Sequence, residues 1–599
     1  MTKWLFRPAG IAAIAVAMIV VQAVVRGWWV GHGWYLVDDY LFLSDIARGA
    51  DDLDWYLRIH QGHFMPLSFV LVKAVTLFGG VYDWSAVAVE IVALQVIASL
   101  TCWWMFRTLF GPTRAALAGL AIYLTSAFTM PSIMWWAVAI NQLPHQIAFF
   151  GAITAHVLYA RTRRIRWVAV AGLFLLVGYT SYAKTGLIVV TLALLTLIWL
   201  VDGAPWHRFW DAIRRFWLAW AVYGTLSVAW LVVYLSRPSA SLSAEPGRLL
   251  PLVQAEVLEN AVPTVVGGPW AWRSFAGDSP VQFADPPIIA VVVAAVLLAL
   301  LLLVAWARHA RSLLVLWPVV VYFSASVLLV YVGRAYTVTL LGAENIGRHV
   351  QYLSDLIPLI VLAAVALFVP IVGVADPIRL RPEPFITVAP RRWTAVALVV
   401  GVSISGLASS AVYAQGWRSF GERTASENAI AAITEGPRHR FAEAFVPSTI
   451  VSPIFGERAL LSSFFAPLGS QYTTSTTGID LAMLNREGGI EPADVSPVES
   501  GPAVAPLESC RPTDEVGQVF DLEVPFSFGL WLVVDYRSSS AGALTVVGTG
   551  EPMTGIEAPA GNHRLLIQAT APGETVRVYA TGDPDLCVNR IGYGLVSSE

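Results

Sequence analysis

Long apolar runs separated by short charged loops dominate the first 412 residues of the chain. A helix needs about 20 apolar residues to cross a membrane, and somewhat fewer or more are tolerated. The pattern therefore predicts a polytopic α-helical membrane protein with eleven transmembrane helices. Their expected bounds are 8–28, 84–106, 114–134, 145–160, 167–181, 186–201, 217–235, 286–307, 313–333, 353–374 and 393–412.

Composition agrees with this pattern. The 599 residues are 56% hydrophobic and 13% charged, with a mean hydropathy of +0.64. A soluble globular domain carries about a quarter charged residues, so the composition excludes a soluble enzyme, a disordered scaffold and a collagen-like rod. No basic face indicates a nucleic-acid partner.

Loop charges orient the predicted helices. The Arg-rich loop 161–166 is expected on the cytoplasmic side, together with the N-terminal stub around Lys3. The alternation holds when residues 64–79, which are too short to span, form a helix on the outer surface. An odd number of spans then places the N-terminus in the cytoplasm and the C-terminal tail outside a plasma membrane.

The tail gains charge, Pro, Gly, Ser and Thr. Residues 413–517 are predicted to be an outer connecting region that begins with a helix at 413–434. Residues 518–599 contain short β-rich runs separated by turns, which is typical of a β-sandwich. Cys510 and Cys587 bracket this domain, and an oxidising compartment favours a disulfide between them.

The loop 31–67, after the first predicted span, contains the most informative candidate chemistry. Asp38 and Asp39 follow an aromatic and apolar approach. Adjacent carboxylates at a membrane face are costly unless they are solvated, paired or used. An aspartate here can act as general base towards an attacking hydroxyl. A solvated loop turn is the alternative interpretation.

Cationic and imidazole side chains recur at the same predicted membrane level. They suit the phosphate or pyrophosphate of a lipid headgroup. Three alternatives stay open, namely structural histidines, a lysine that snorkels to the interface, and a metal bound by the two histidines of the first outer loop with an aspartate. The residues are Arg58, His60, His63, Lys184, Arg348 and His349.

Aromatic residues mark two further outer segments. Trp135 and Trp136 precede Asn141 in one, and Trp270 and Trp272 lie close together in the other. Either segment can be an interfacial aromatic belt or a platform on which sugars stack.

Together these motifs resemble the GT-C superfamily of membrane glycosyltransferases. The resemblance depends on Asp38-Asp39-Tyr40 opening a long outer loop, on the surface helix after a His/Pro motif, and on Arg348-His349 before a late span. The outer β-rich tail is similar to that of mycobacterial and corynebacterial arabinofuranosyltransferases. Three Lys among 38 basic residues indicate GC-rich codon usage, which agrees with an actinobacterial source.

The resemblance implies a polyprenyl-phosphate-linked sugar as donor and a cell-envelope glycan or glycolipid as acceptor. Arabinofuranose is the expected sugar and mannose the next. In the family the first acid of the pair is commonly the base, which corresponds to Asp38. The implied reaction is an inverting single displacement on the outer face. It requires no cofactor, and dependence on a divalent cation stays open.

Three other functions stay open. A flippase or transporter of lipid-linked sugars predicts interrupted spans and an inverted repeat, and we recognise neither in the sequence. A transferase of the O-antigen-ligase type would use the Arg and His of a late loop. A non-catalytic subunit of cell-wall assembly would bind through its tail. In the tail, acceptor binding through Trp531, Tyr536, Tyr579 and Tyr593 competes with a packing lid.

Overall fold

The computed structural model divides the chain into two compact units. The first contains Met1–Tyr35 and Asp51–Phe420, and the second contains Leu36–Ala50 and Gly421–Glu599. Lys3, which helps to orient the predicted spans, lies outside the described residues. The described residues are 7–80, 82–237, 247–275, 279–310, 312–373, 379–380, 385, 392–418, 420–448, 450–498, 501, 504, 506–527, 529–582 and 586–598.

Apolar helices make up the first unit. Within the described residues, seven are long and apolar enough to cross a membrane, so the chain is a multi-pass membrane protein. A bent pair of helices, Arg114–Thr125 and Ala127–Met134, is an eighth candidate. The seven are Pro8–Val30, Trp84–Phe110, Ala183–Leu200, Pro205–Leu235, Ile288–Arg308, Ser312–Gly333 and Trp393–Gln415.

The predicted count of eleven spans is not confirmed. Arg166–Tyr179 and Val350–Ala366 are apolar but short. The helix Trp136–Thr162 has 27 residues, yet buried polar side chains such as Gln142 and His145 lower its hydropathy. Pro66–Phe78 is the helix expected after the first outer loop, and its proline stands at the first helical position.

Packing inside the second unit restricts the number of crossings to an odd value. The helix Asp38–Ala47 follows the first span, and it packs on the helix Leu461–Phe465, which follows the last span. Segments in direct contact lie on the same side of a membrane. An even number of crossings must therefore separate them. If the bent pair is one span, at least one of the less clear helices also crosses.

The bend in the pair 114–134 corrects the expectation that no span is interrupted. The two helices meet at 49° near Ser126, which frees the carbonyl of Leu124. Gln22 and Arg26 of the first span each donate a hydrogen bond to this oxygen at 3.1 Å. Arg26 also donates to Thr129 Oγ1 at 2.6 Å. Buried side chains therefore supply the hydrogen bonds that the backbone loses at the bend.

The remaining elements of the first unit lie in its loops. They include a hairpin of two-residue strands within the loop 31–67 and a helical segment in the 236–285 loop whose middle turn is π-helical. The bounds are Leu53–Leu57, Ile59–His60, His63–Phe64, Leu249–Gln254, Ala255–Ala261, Val262–Val265, Trp272–Ser274, Gln282–Ala284, His309–Ala310, Ala335–Leu341, Ala343–Arg348 and Arg379–Leu380.

Two sheets and several helices form the second unit. Numbered along the chain, its strands are β1 Arg440–Ala442, β2 Thr473–Ser475, β3 Thr477–Ile479, β4 Ala482–Leu484, β5 Ile490–Ser496, β6 Pro506–Pro512, β7 Gln518–Asp521, β8 Trp531–Ser538, β9 Gly542–Val547, β10 Met553–Ala558, β11 Gly561–Gln568, β12 Thr575–Thr581 and β13 Cys587–Ser598. The helices are Asp38–Ala47, Gly421–Glu435, Pro453–Ala459, Leu461–Phe465 and Ala466–Gln471.

The strands form a nine-stranded and a four-stranded sheet that share one core. The larger has the order β2-β1-β4-β5-β13-β8-β11-β3, with β6 also paired to β13, and the smaller has the order β7-β12-β9-β10. Strands β1 to β6 therefore extend the sheet, so 413–517 is not a separate connecting region. Trp531, Tyr536 and Tyr593 are buried, which contradicts an exposed stacking role for them.

A disulfide joins Cys510 of β6 to Cys587 of β13, as the sequence predicts. These strands are neighbours in the larger sheet. The bond closes a loop with a sequence separation of 77 residues. In the chain-entropy model such a loop adds about 4 kcal/mol of stability.

Replacing both cysteines, as Cys510→Ser with Cys587→Ser, should lower the melting temperature of the second unit by about 10 °C. Thermal unfolding of the full-length protein under non-reducing conditions measures this. Cys102→Ser is the control, because Cys102 is a buried free cysteine of the first unit. Equal melting of the double variant and the unmodified protein would contradict a stabilising disulfide.

Candidate functional site

The acidic pair opens the helix Asp38–Ala47 of the second unit. Asp39 is fully buried, and its Oδ2 accepts a hydrogen bond from the backbone N–H of Leu36 at 2.9 Å. Asp38 is partly exposed. Asp39 therefore holds the turn, and Asp38 is the more exposed acid of the pair.

Strain and ion pairs position this pair. Val37, directly before Asp38, has a φ of 36°, a conformation that β-branched residues rarely adopt. Further along the helix, Asp45 pairs with Arg458, and the Tyr40 hydroxyl donates to Ser426 Oγ at 2.7 Å. The C-terminal chain thus fixes the helix that presents the acids.

A buried donor lies on the hairpin of the first outer loop. The His63 ring stacks on Tyr182, with centroids 5.0 Å apart, and Arg334 Nη2 donates to His63 Nε2 at 2.9 Å. Since a guanidinium only donates, the ring proton is on Nδ1. This N–H is buried and has no partner among the described residues. Burial, Arg334 and Lys184 hold the pKa of His63 well below its usual range, so the ring is neutral.

Lys184 is the centre of a buried polar network in the same unit. Its Nζ donates to Ser326 Oγ at 2.6 Å and to the carbonyl of Tyr352 at 3.0 Å. It also pairs with Asp355 Oδ1 at 3.3 Å, and Tyr322 donates to the other oxygen of that carboxylate at 2.8 Å. Lys184 is therefore buried and does not snorkel to the interface.

Arg58 and His60 pack against aromatic rings. The Arg58 guanidinium carbon lies 5.1 Å from the Trp55 ring centroid and 4.9 Å from that of Phe69. His60 is buried with its ring edge-on to Phe69. It is the cross-strand neighbour of His63 in the hairpin, so the two histidines are not on a helix as the metal alternative assumed.

Arg348 and His349 have other neighbours. Arg348 Nε donates to Glu259 Oε2 at 2.5 Å, and this partner raises the pKa of Arg348 further. The buried ring of His349 faces Phe283 and Tyr352, and burial lowers its pKa to about 4. Arg348 is thus engaged with an acid, and its predicted phosphate role stays a prediction.

The aromatic candidates of the first unit mostly anchor loops. Trp270 and Trp272 donate from Nε1 to Ser405 Oγ at 2.6 Å and to the carbonyl of Ser409 at 3.1 Å, respectively. Trp136 is fully buried and donates to the carboxylate of Glu90 at 2.7 Å. These three rings are occupied by packing, which disfavours the sugar platform.

Trp135 and Asn141 are partly exposed. The Trp135 Nε1 has no hydrogen-bond partner within the described ranges. The Asn141 amide donates to the carbonyl of Ala137 in its own helix at 3.0 Å. Their predicted contact with sugar or acceptor stays a prediction.

Glu256 is a candidate that sequence reasoning missed. It is 2% exposed, on the π-helical turn Ala255–Ala261. Burial raises its pKa to about 8, with opposing effects from Lys184 and Asp355. The signal was available, because Glu256, Glu259 and Asn260 interrupt the otherwise apolar stretch 249–266. Among the described residues, no three His, Cys, Asp or Glu side chains are grouped as metal ligands.

The buried pair predicts a specific pattern of stability changes. Lys184→Met should destabilise the first unit by about 3–5 kcal/mol, because it leaves the Asp355 charge buried and uncompensated. The double variant Lys184→Met with Asp355→Leu should recover most of this loss. Lys73→Met is the matched control, since Lys73 pairs with Asp51 near the surface. Thermal unfolding in detergent checks the ranking, and equal loss in the single and double variants would contradict it.

Comparisons with known proteins find similar folds. No family model and no curated protein match the chain. It aligns with arabinofuranosyltransferase AftD from Mycobacteria at 10% identity and a TM-score of 0.37, over 97% of this chain and 60% of that one. It aligns with ArnT from Cupriavidus metallidurans bound to undecaprenyl phosphate at 15% identity and a TM-score of 0.38, over 77% of this chain and 89% of that one. It aligns with arabinosyltransferase EmbB from Mycobacterium smegmatis at 11% identity and a TM-score of 0.29, over 100% of this chain and 65% of that one. The chain spans about three fifths of AftD.

Proposed function

We propose that this chain is a membrane glycosyltransferase of the GT-C type. It moves a sugar from a polyprenyl-phosphate donor to a cell-envelope glycan or glycolipid on the outer face. Arabinofuranose is the favoured sugar and mannose the next, as the sequence resemblance implies.

The convergence of donors around His63 is the observation that carries this proposal. Arg334 contacts the ring, and both Arg334 and Lys184 act on it electrostatically. The buried Nδ1–H of the neutral ring is left for a ligand within the described part of the chain. Cationic groups with an oriented N–H are what a phosphate monoester or diester requires.

The proposed reaction is the inverting single displacement that the sequence resemblance implies. Asp38 takes the proton of the acceptor hydroxyl, whose oxygen then attacks the anomeric carbon of the donor sugar. The bond from that carbon to the phosphate oxygen breaks, and polyprenyl phosphate leaves with its charge offset by Arg334 and its oxygen bound by the N–H of His63. Asp39 keeps the base in place through its hydrogen bond to the loop backbone.

A cleft of about 720 Å³ in the second unit is the proposed acceptor site. Its lining combines planar charged groups, such as Arg564 and Asp535, with amides and the edge of Tyr536. Hydroxyl-rich chains are recognised by such groups through paired hydrogen bonds. This supports acceptor binding, through polar residues instead of the stacked aromatic rings that the sequence suggested.

A transporter of lipid-linked sugars is the second candidate, because the helix pair 114–134 is bent. Interrupted helices mark substrate sites in many transporters. Here Gln22 and Arg26 already occupy the freed carbonyl of Leu124. The break is therefore satisfied within the protein, which favours the transferase.

Asp38→Asn should lower the rate of sugar transfer by about 100- to 10,000-fold, because it removes the general base. The melting temperature and the affinity for polyprenyl phosphate should not change. Asp39→Asn should lower stability, with a smaller loss of rate. Transfer from a labelled lipid donor by the purified protein in proteoliposomes measures these effects.

Asp54→Asn is the control for this series, since Asp54 is an exposed acid of the same outer loop. Near-normal transfer by Asp38→Asn would show that another group is the base. A larger loss of rate with Asp39→Asn than with Asp38→Asn would reverse the assignment within the pair.

Arg334→Gln should weaken binding of polyprenyl phosphate by about tenfold or more, because it removes a cation and frees the His63 ring. Arg348→Gln should have a smaller effect, because Glu259 already neutralises that guanidinium. Titration of each variant with the lipid in nanodiscs gives both affinities. A larger effect at Arg348 would instead support the phosphate site that the sequence indicates.

A further inference from the structure

Glu256 is a buried acid with unmet hydrogen-bonding capacity. Its side chain is 2% exposed, and neither carboxyl oxygen has a hydrogen-bond partner among the described residues. Lys184 and Asp355 lie close enough to act on it electrostatically. A buried carboxyl without partners costs stability, so its retention next to the Lys184 network calls for a ligand.

Three amide side chains with a buried oxygen share this surplus of hydrogen-bond acceptors, namely Asn260 on the same helical turn, Gln142 and Gln351. Asn260 donates its Nδ2 to the carbonyl of Gly347 at 3.1 Å, and Gln142 donates its Nε2 to the carbonyl of Gln351 at 3.3 Å. Because a carbonyl only accepts, the amide nitrogen must face it in each case. The buried oxygens of Asn260, Gln142 and Gln351 have no donor within the described ranges.

A ligand that fits Glu256 and these amide oxygens must supply hydrogen-bond donors. A phosphate offers only acceptors once ionised, so it belongs with Arg334 and His63. Sugar hydroxyls both donate and accept. In a polyprenyl-phosphate sugar, one oxygen joins the ring to the phosphate, so the hydroxyls of the sugar lie within a few bonds of the phosphate that the cations bind.

We propose that Glu256, with Asn260 four residues further along, binds the hydroxyl groups of the donor sugar. This inference rests on the proposed function and names the part of the donor that the first unit recognises. Glu256 is thus a specificity-determining residue, distinct from the groups that bind the phosphate.

Close backbone packing holds Glu256 in position. A Cβ on Gly347 would lie 2.5 Å from the carbonyl oxygen of Leu252 and 2.9 Å from the backbone nitrogen of Glu256. The helix Ala343–Arg348 therefore rests directly on the π-helical turn. Single π-turns are frequent at functional sites, and this one is fixed before a ligand binds.

Lipids with and without a sugar separate sugar recognition from phosphate recognition. Binding of polyprenyl phosphate is compared with binding of polyprenyl-phosphoryl arabinofuranose and polyprenyl-phosphoryl mannose to the full chain in nanodiscs. Glu256→Leu should weaken binding of the sugar-bearing lipids by about 10- to 100-fold. The affinity for polyprenyl phosphate should stay within about twofold of that of the unmodified protein. Glu256→Gln, which still donates and accepts, should recover part of the loss.

Glu344→Leu is the matched control, because Glu344 is an exposed acid on the adjoining helix. Glu256→Leu should melt no lower than the unmodified protein, since it removes an unsatisfied buried group. Equal weakening of both lipids together with a lower melting temperature would show a structural role and overturn the inference. If the unmodified protein prefers neither sugar lipid over polyprenyl phosphate, the inference fails while the lipid site stands. If it binds no lipid, the proposed function fails.

Discussion

A buried ion pair between Lys184 and Asp355 is the constraint on which the first unit depends. Both side chains are removed from solvent, and a charge in that position persists only when it is paired and hydrogen-bonded. Ser326, Tyr322 and the carbonyl of Tyr352 supply the remaining bonds. The pair thus joins three helical segments at one point.

The pair also influences the titratable side chains near it, His63 and Glu256. Lys184 helps to keep His63 neutral, so that the ring presents an N–H instead of a second charge. The pair also acts on Glu256, where burial raises the pKa to about 8, Lys184 lowers it and Asp355 raises it. Cations and donors therefore suit a phosphate, while Glu256 and the amide oxygens suit hydroxyls.

Much of the architecture follows from hydropathy and turn chemistry. The long apolar helices, the helix at Pro66, the six β-rich runs after residue 518 and the Cys510–Cys587 bond were all predictable, because each depends on a local pattern or on residue chemistry. Span count was not predictable, because helices such as Trp136–Thr162 bury polar side chains that lower their hydropathy without exposing them. Pairing of residues 36–50 with the C-terminal chain was also missed, since nothing local encodes a contact across hundreds of residues.

The candidate site was predictable in part. Asp38, His63 and Lys184 could be named from residue type and position, but their partners could not. Arg334 on His63 and Glu259 on Arg348 are tertiary contacts. The tryptophans looked alike in sequence, yet Trp270 and Trp272 anchor a loop to serine residues of the last span.

The position of a bound phosphate tests the central claim most directly. A cryo-EM structure of the full chain with polyprenyl phosphate in nanodiscs would show it. We expect phosphate density within hydrogen-bond distance of His63 Nδ1 and Arg334, on the side of Lys184. Phosphate density at Arg348 instead, or the absence of bound lipid at saturating concentration, would contradict it.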